Sequence, residues 1–157
     1  MPYLFLKLVH ILSATVLFGT GLGTAFSMWR ANSSADPHVI AVVTRNVALA
    51  DWLFTTPAAV VQPLTGFALA HIAGFSLSSP WLILALVLYA FVGACWIPVV
   101  WLQLRMRDLA REAAATAQPL GPLYHRYFKI WFALGWPAFL GVLVIFALMV
   151  LKPALWE

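Results

Sequence analysis

Four long apolar runs alternate with polar stretches along the chain, at about residues 4–29, 46–73, 80–105 and 126–151. Each is near or above the roughly 20 residues that an α-helix needs to cross a bilayer core of about 30 Å. None shows the alternating polarity of a barrel strand, so the other spanning solution is set aside. The pattern predicts an all-α fold, an integral membrane four-helix bundle, with residues 1–157 forming a single transmembrane domain. The first run exceeds the roughly 7–15 apolar residues of a signal-peptide core and is followed by no convincing small-residue cleavage site. It is expected to remain as the first helix.

Between the first two spans, "RANSSADPHVIAVVTR" has turn-forming Asn, Ser, Asp and Pro, and is expected to carry part of a helix that extends the second span. Between the last two, "RMRDLAREAAATAQPLGPLYHR" begins as an Ala-rich amphipathic extension and breaks at Pro119, Gly121 and Pro122. Arg30 and Arg45 flank the first stretch, and Arg105, Arg107, Arg111 and Arg126 lie in the second. The loop "AGFSLSSP" on the opposite side has no charge. An excess of Arg in two loops marks the cytoplasmic face, which leaves both termini on the outer side. Trp29, Trp81, Trp101 and Trp156 fall near span ends, as an aromatic belt requires.

Composition strengthens this picture. Hydrophobic residues make up 64% of the chain and charged ones only 9%, against about a quarter charged in soluble domains. The mean hydropathy is +0.94. The basic pI near 9.6 reflects residues beside the spans, so it reports topology and not nucleic-acid binding. Cys95 is the single cysteine and has no intrachain partner. No H-E-x-x-H, C-x-x-C, G-x-S-x-G or P-loop pattern occurs, which removes support for hydrolase and nucleotide-driven readings.

Candidate chemistry begins with "KLVH" in the first span. On a helix, His10, Ser13, Ala14, Leu17, Gly21, Thr24 and Ala25 share one broad, mostly small face. Gly19 and Gly23 add a G-x-x-x-G pair, which admits close approach of a helix or a flat ligand and is compatible with a homodimer. An imidazole two turns into a span requires a partner. Two readings stand for His10: a hydrogen bond to another helix, or ligation of haem iron by its acceptor nitrogen. Lys7 snorkels outward or meets a propionate.

His71, at a similar depth in the second span, is the candidate second axial ligand, although it projects away from the polar stripe Asp51, Thr55, Gln62 and Thr65 on a regular helix. Pro57 and Pro63 leave that phase open. Met149 is a further thioether at this depth, more simply a core filler. His125 lies a bilayer away, and His38 is expected in solvent. Asp51 needs a cationic or hydrogen-bonding partner, for which Arg105 and Lys129 are candidates. Gln62 and Thr65 are expected to make interhelical hydrogen bonds, or to meet a quinone or porphyrin.

"KLVH" followed by "FGTG" resembles the first helix of the HemJ type of protoporphyrinogen oxidase, where the matching histidine is a b-haem ligand. "PAAVVQPLTGFALA" and "RYFKIWFALGWPAFLGVLVIFALMVLKP" resemble its second and fourth helices. The chain departs from that family in having "LGWP" where an Asn-Glu pair precedes the fourth-helix proline, and in having Ala90, not histidine, after Tyr89. Over most of its length it more closely resembles the bacterial integral-membrane family called domain of unknown function 2269, through "HILSATVLFGTGLGTAF", "ADWLFTTPAAVVQPLTG" and "FALGWPAF".

The resemblance implies a multi-pass protein of the bacterial inner membrane that binds haem b. His10 and His71 are the candidate iron ligands, glycines 19, 21 and 23 make room for the macrocycle, and Lys7 lies beside it. The expected work is electron transfer or redox chemistry with a quinone or porphyrin. HemJ-like porphyrinogen oxidation is one alternative. The other is a non-enzymatic transporter subunit or structural partner without haem.

Overall fold

The computed structural model describes residues 2–155. Its helices are α1 (Pro2–Ser34), α2 (Pro37–Ala50), α3 (Thr56–Ile72), α4 (Pro80–Ala115) and α5 (Pro122–Leu151), and a π-helical turn, Asp51–Thr55, joins α2 to α3. The turn continues the rod, so four helices are long and apolar enough to cross a membrane: Pro2–Ser34, Pro37–Ile72, Pro80–Ala115 and Pro122–Leu151. No strand occurs among the described residues. The helices overrun the apolar segments. At 33 residues α1 is about 50 Å long, which exceeds the hydrocarbon core.

Local sequence explains the boundaries. Pro37, Pro80 and Pro122 sit in first turns, where the missing N–H has no intrahelical partner to lose. Asp36 caps α2 by accepting the His38 N–H at 2.8 Å. Gly74, at φ +72°, ends α3 in the left-handed conformation, and the Phe75 N–H reaches back to the Ala70 carbonyl at 3.0 Å. The turns after α1 and α4 use Ala35 and Ala117 at φ 54° and 52°.

Two packed clusters tie the helices together. At the arginine-rich end, Met28 and Ala31 of α1, Ile40 and Val47 of α2, Leu102, Met106 and Ala110 of α4, and Tyr124 and Trp131 of α5 are buried against one another. At the other end, Ala70 of α3, Trp81, Leu82 and Ala85 of α4, and Leu148 of α5 form a smaller cluster, with Met149 packed on it as a filler. Between the clusters, α1 pairs with α3 and α4 pairs with α5. There the two pairs meet through the stacked rings of Phe18 and Phe139, 5.3 Å apart, and through the Tyr89 hydroxyl, which donates to the Ala59 carbonyl.

The outward surface suits lipid. Leu8, Phe26, Trp52, Val87, Ile97 and Val150 are exposed, as in a helix surrounded by acyl chains. Trp29 and Trp101 are exposed near span ends, and Trp101 lies edge-on to Tyr127 at 5.6 Å. Trp81 departs from the belt expectation because it is buried in the smaller cluster. It meets Phe75 edge-on at 5.4 Å, and Lys152 Nζ lies 4.2 Å from the Phe75 ring centroid. This aromatic–cation stack fastens the end of α5 to the α3–α4 turn. Trp156 lies outside the described residues.

Candidate functional site

The interruption between α2 and α3 sets the site. Pro57 has no N–H to offer, and its ring crowds the carbonyl four residues before it, so a regular α-helix is disfavoured across this segment. The chain takes a π turn instead, with the Thr56 N–H bonded to the Asp51 carbonyl five residues back. Asp51 and Thr55 both become buried, and the Thr55 hydroxyl donates to Asp51 Oδ1 at 2.8 Å. Gln103 of α4 faces the same carboxyl group.

Asp51 is 5% exposed and Gln103 4%, yet Asp51 Oδ2 and Gln103 Oε1 have no hydrogen-bond partner. The expected cations are placed elsewhere. The Arg105 guanidinium lies 6.0 Å from the Trp101 ring centroid, Lys129 is exposed, and the salt bridge formed among the described residues is Arg107–Asp108 at 2.8 Å. Arg105 and Lys129 start near the span boundary, so their long side chains extend to the aqueous edge and not inward.

The two residues that carry the orphaned oxygens line a cavity of about 570 Å³ between the helix pairs. Leu17, Gly21 and Thr24 of α1, Ala59 and Val60 of α3, Tyr89, Gly93 and Trp96 of α4, and Gly135, Trp136 and Phe139 of α5 contribute to its wall. The wall is almost wholly apolar except at the Asp51–Gln103 end. Leu22 and Trp136 on one side, and Val60 and Ile97 on another, line it and are also exposed, so it opens toward lipid. A smaller cavity of about 220 Å³ lies across Asp51, Thr56, Trp96 and Gln103, which also line the larger one. The polar pair therefore stands between two hollows. Trp131 Nε1, on a residue lining the larger hollow, also lacks a partner.

His10 is committed to α3. Its Nδ1 lies 2.7 Å from Thr65 Oγ1, and the Thr65 hydroxyl donates to the Val61 carbonyl at 2.7 Å. With the hydroxyl proton on the Val61 carbonyl, His10 Nδ1–H donates to Thr65 and Nε2 keeps its lone pair; with it turned to the ring, Nδ1 accepts and Nε2 carries the proton. Gln62 Nε2 donates to the His10 carbonyl at 3.1 Å. The missing side chain of Gly66 leaves room for the ring: a Cβ there would lie 3.4 Å from His10 Cε1. The polar stripe of the second span thus divides. Gln62 and Thr65 serve α1, and Asp51 and Thr55 serve the cavity.

A family model described as "Predicted integral membrane protein (DUF2269)" matches residues 4–153. The chain belongs to this family. Neither the curated proteins nor the solved structures yield a match.

In this DUF2269 protein the other expected site residues are scattered. His71 is exposed, and six residues beyond Thr65 it points about 120° away from the side of α3 that meets His10. Lys7 is exposed. Gly21 lines the cavity, whereas Gly19 and Gly23 do not, and a Cβ on any of the three would meet nothing within 4 Å. The close helix approach expected there occurs instead between α4 and α5, where a Cβ on Gly141 would lie 2.7 Å from Val92 Cγ2. His38 and His125 are exposed. For haem, Nε2 of His10 offers a lone pair in the tautomer whose Nδ1–H donates to Thr65. His10 lines neither of the two cavities described, and among the described residues no three His, Cys, Asp or Glu side chains come together as a metal site.

Proposed function

We propose that the protein binds a lipid-soluble small molecule in the cavity between its helix pairs, entering sideways from the bilayer and anchoring a polar head at Asp51 and Gln103. The observation that carries this reading is the pair of buried, unpartnered oxygens at the one polar end of an apolar, lipid-facing hollow. A buried acceptor left unsatisfied costs about 1–3 kcal/mol, so a ligand with a donor head gains there what bulk lipid cannot supply. The largest apolar pocket with a few convergent polar groups is where a ligand is expected. In this reading the protein works within its membrane, taken to be a bacterial inner membrane, as a lipid-facing binding or carrier protein.

The test uses protein in nanodiscs and a dibrominated long-chain alcohol, a neutral amphiphile with one hydroxyl donor. Trp96, Trp131 and Trp136 line the cavity and report its occupancy by fluorescence quenching. Saturable quenching that Gly93→Phe removes is the expected result. Quenching that rises linearly with probe and is the same in both proteins overturns the reading.

A second reading keeps the b-type haem. It is supported by the contact of His10 Nδ1 with Thr65 Oγ1, which orients the ring and, in the tautomer with Nδ1–H donating, leaves Nε2 for iron. His10 would hold the group, which supplies one-electron chemistry with a quinone or porphyrin, and HemJ-like oxidation is the enzymatic variant. The exposed His71 does not complete such a site, so the other axial position would need a different donor. A Soret band in protein from haem-replete cells, lost in His10→Ala, is the expected result of this reading, and colourless protein rejects it.

A further inference from the structure

The nature of the anchoring head follows from charge, given the cavity reading above. Among the residues lining the two hollows, Asp51 is the one acid, and there is no Lys, Arg or His. Its carboxyl accepts from Thr55 and faces the Gln103 side chain, and it has no salt bridge. A carboxylate this deeply placed is stable only with a countercharge or a proton. The walls around it are rich in aromatic faces, from Tyr89, Trp96, Trp131, Phe132 and Trp136, which attract a cation through their negative π surfaces.

Hydrogen-bond sense points the same way. Of the unpartnered atoms on residues lining the hollow, Asp51 Oδ2 and Gln103 Oε1 accept, and Trp131 Nε1 donates. A ketone, ester or quinone carbonyl suits the indole and satisfies neither oxygen. An alcohol brings one donor. A primary or secondary ammonium brings at least two N–H groups and a positive charge, and so meets Asp51 Oδ2 and Gln103 Oε1 together. We infer that the ligand is a lipophilic amine, protonated, with its ammonium held by Asp51 and Gln103 and its apolar body between the aromatic walls.

Competition against the brominated alcohol tests this in the full chain. Hexadecylamine, hexadecanol and hexadecyltrimethylammonium share a tail and differ in the head. Hexadecylamine is expected to displace the probe at a concentration roughly tenfold or more below hexadecanol, the trimethyl compound falling between because it keeps charge and loses N–H. Asp51→Asn is expected to abolish the amine's advantage while leaving alcohol binding saturable. Gln103→Glu, which adds a second carboxylate, is expected to widen it and supplies a gain-of-function check if Asp51→Asn folds poorly. Equal displacement by amine and alcohol, or an advantage that survives in Asp51→Asn and does not widen in Gln103→Glu, overturns the amine inference. In that event saturable alcohol binding still upholds the cavity, whereas loss of saturable binding by every probe rejects the cavity reading itself.

Discussion

His10 Nδ1 meets a threonine hydroxyl that also reaches the Val61 carbonyl, so the imidazole is oriented by a chain of two hydrogen bonds. Such interhelical bonds contribute about 0.6 kcal/mol on average and up to ~1.7. Thr65→Val and His10→Ala should each lower stability by an amount in that range. Because they break the same contact, the double variant should cost less than the sum, and unfolding in bicelles measures the coupling. The histidine and its need for a partner were legible in the sequence. Which partner was not, because Thr65, Gln62 and His71 lie within three turns of one helix and only the azimuth of α3 decides among them. Ala35 and Ala117 make a second residue-scale point. Each holds a left-handed conformation that costs an L-residue roughly 1–2 kcal/mol, so Ala35→Gly and Ala117→Gly should raise the midpoint of thermal unfolding followed by circular dichroism. The sequence shows where both turns fall and conceals the left-handed residue in each, since neither carries the usual glycine at that position.

At the scale of helices, the apolar runs exposed all four spans, and the polar stretches hid how far the helices continue into them. The run from Pro37 to Ile72 reads as one helix, yet its phase cannot be carried through Pro57 by counting. The π turn at Asp51–Thr55 makes the difference, and it brings Asp51 to the wall of a cavity. Glycine spacing is read differently within one chain. Gly19 and Gly23 form the recognisable G-x-x-x-G pair and meet no neighbouring helix of the same chain, whereas the tight contact is made by Gly141, whose partner Val92 lies on another helix. Gly141→Val should push α5 from α4 and destabilise the protein by about 1–3 kcal/mol. Val92→Ala in the same chain should recover part of the loss. Gly19→Ala and Gly23→Ala fill open space within a helix, where alanine is the better former by about 1 kcal/mol, so they should be neutral or stabilising in the same unfolding assay.

For the molecule as a whole, the two packed clusters and the hollow between them belong to one design. The clusters at the ends hold the helix pairs together, while the middle is left underpacked by small groups such as Gly21, Ala59, Gly93 and Gly135. These residues come from α1, α3, α4 and α5, and no run of sequence announces that their empty sides converge, so the cavity could be found only in three dimensions. Underpacking carries a cost, because the lining loses the contacts a filled interior provides. Filling the space from within should therefore separate stability from binding. Gly93→Leu and Gly135→Leu place apolar atoms where a Cβ meets no neighbour, and should leave the melting temperature of ligand-free protein unchanged or raised. Unsubstituted protein should instead gain about 2.7 kcal/mol when a long-chain ligand is present at about 100 times its dissociation constant. The filled variants should gain nothing, because the ligand and the new side chains compete for the same volume. A thermal scan of each protein with and without ligand reads both effects. Equal stabilisation of filled and unfilled proteins would place the ligand on the outer, lipid-facing surface, away from the hollow.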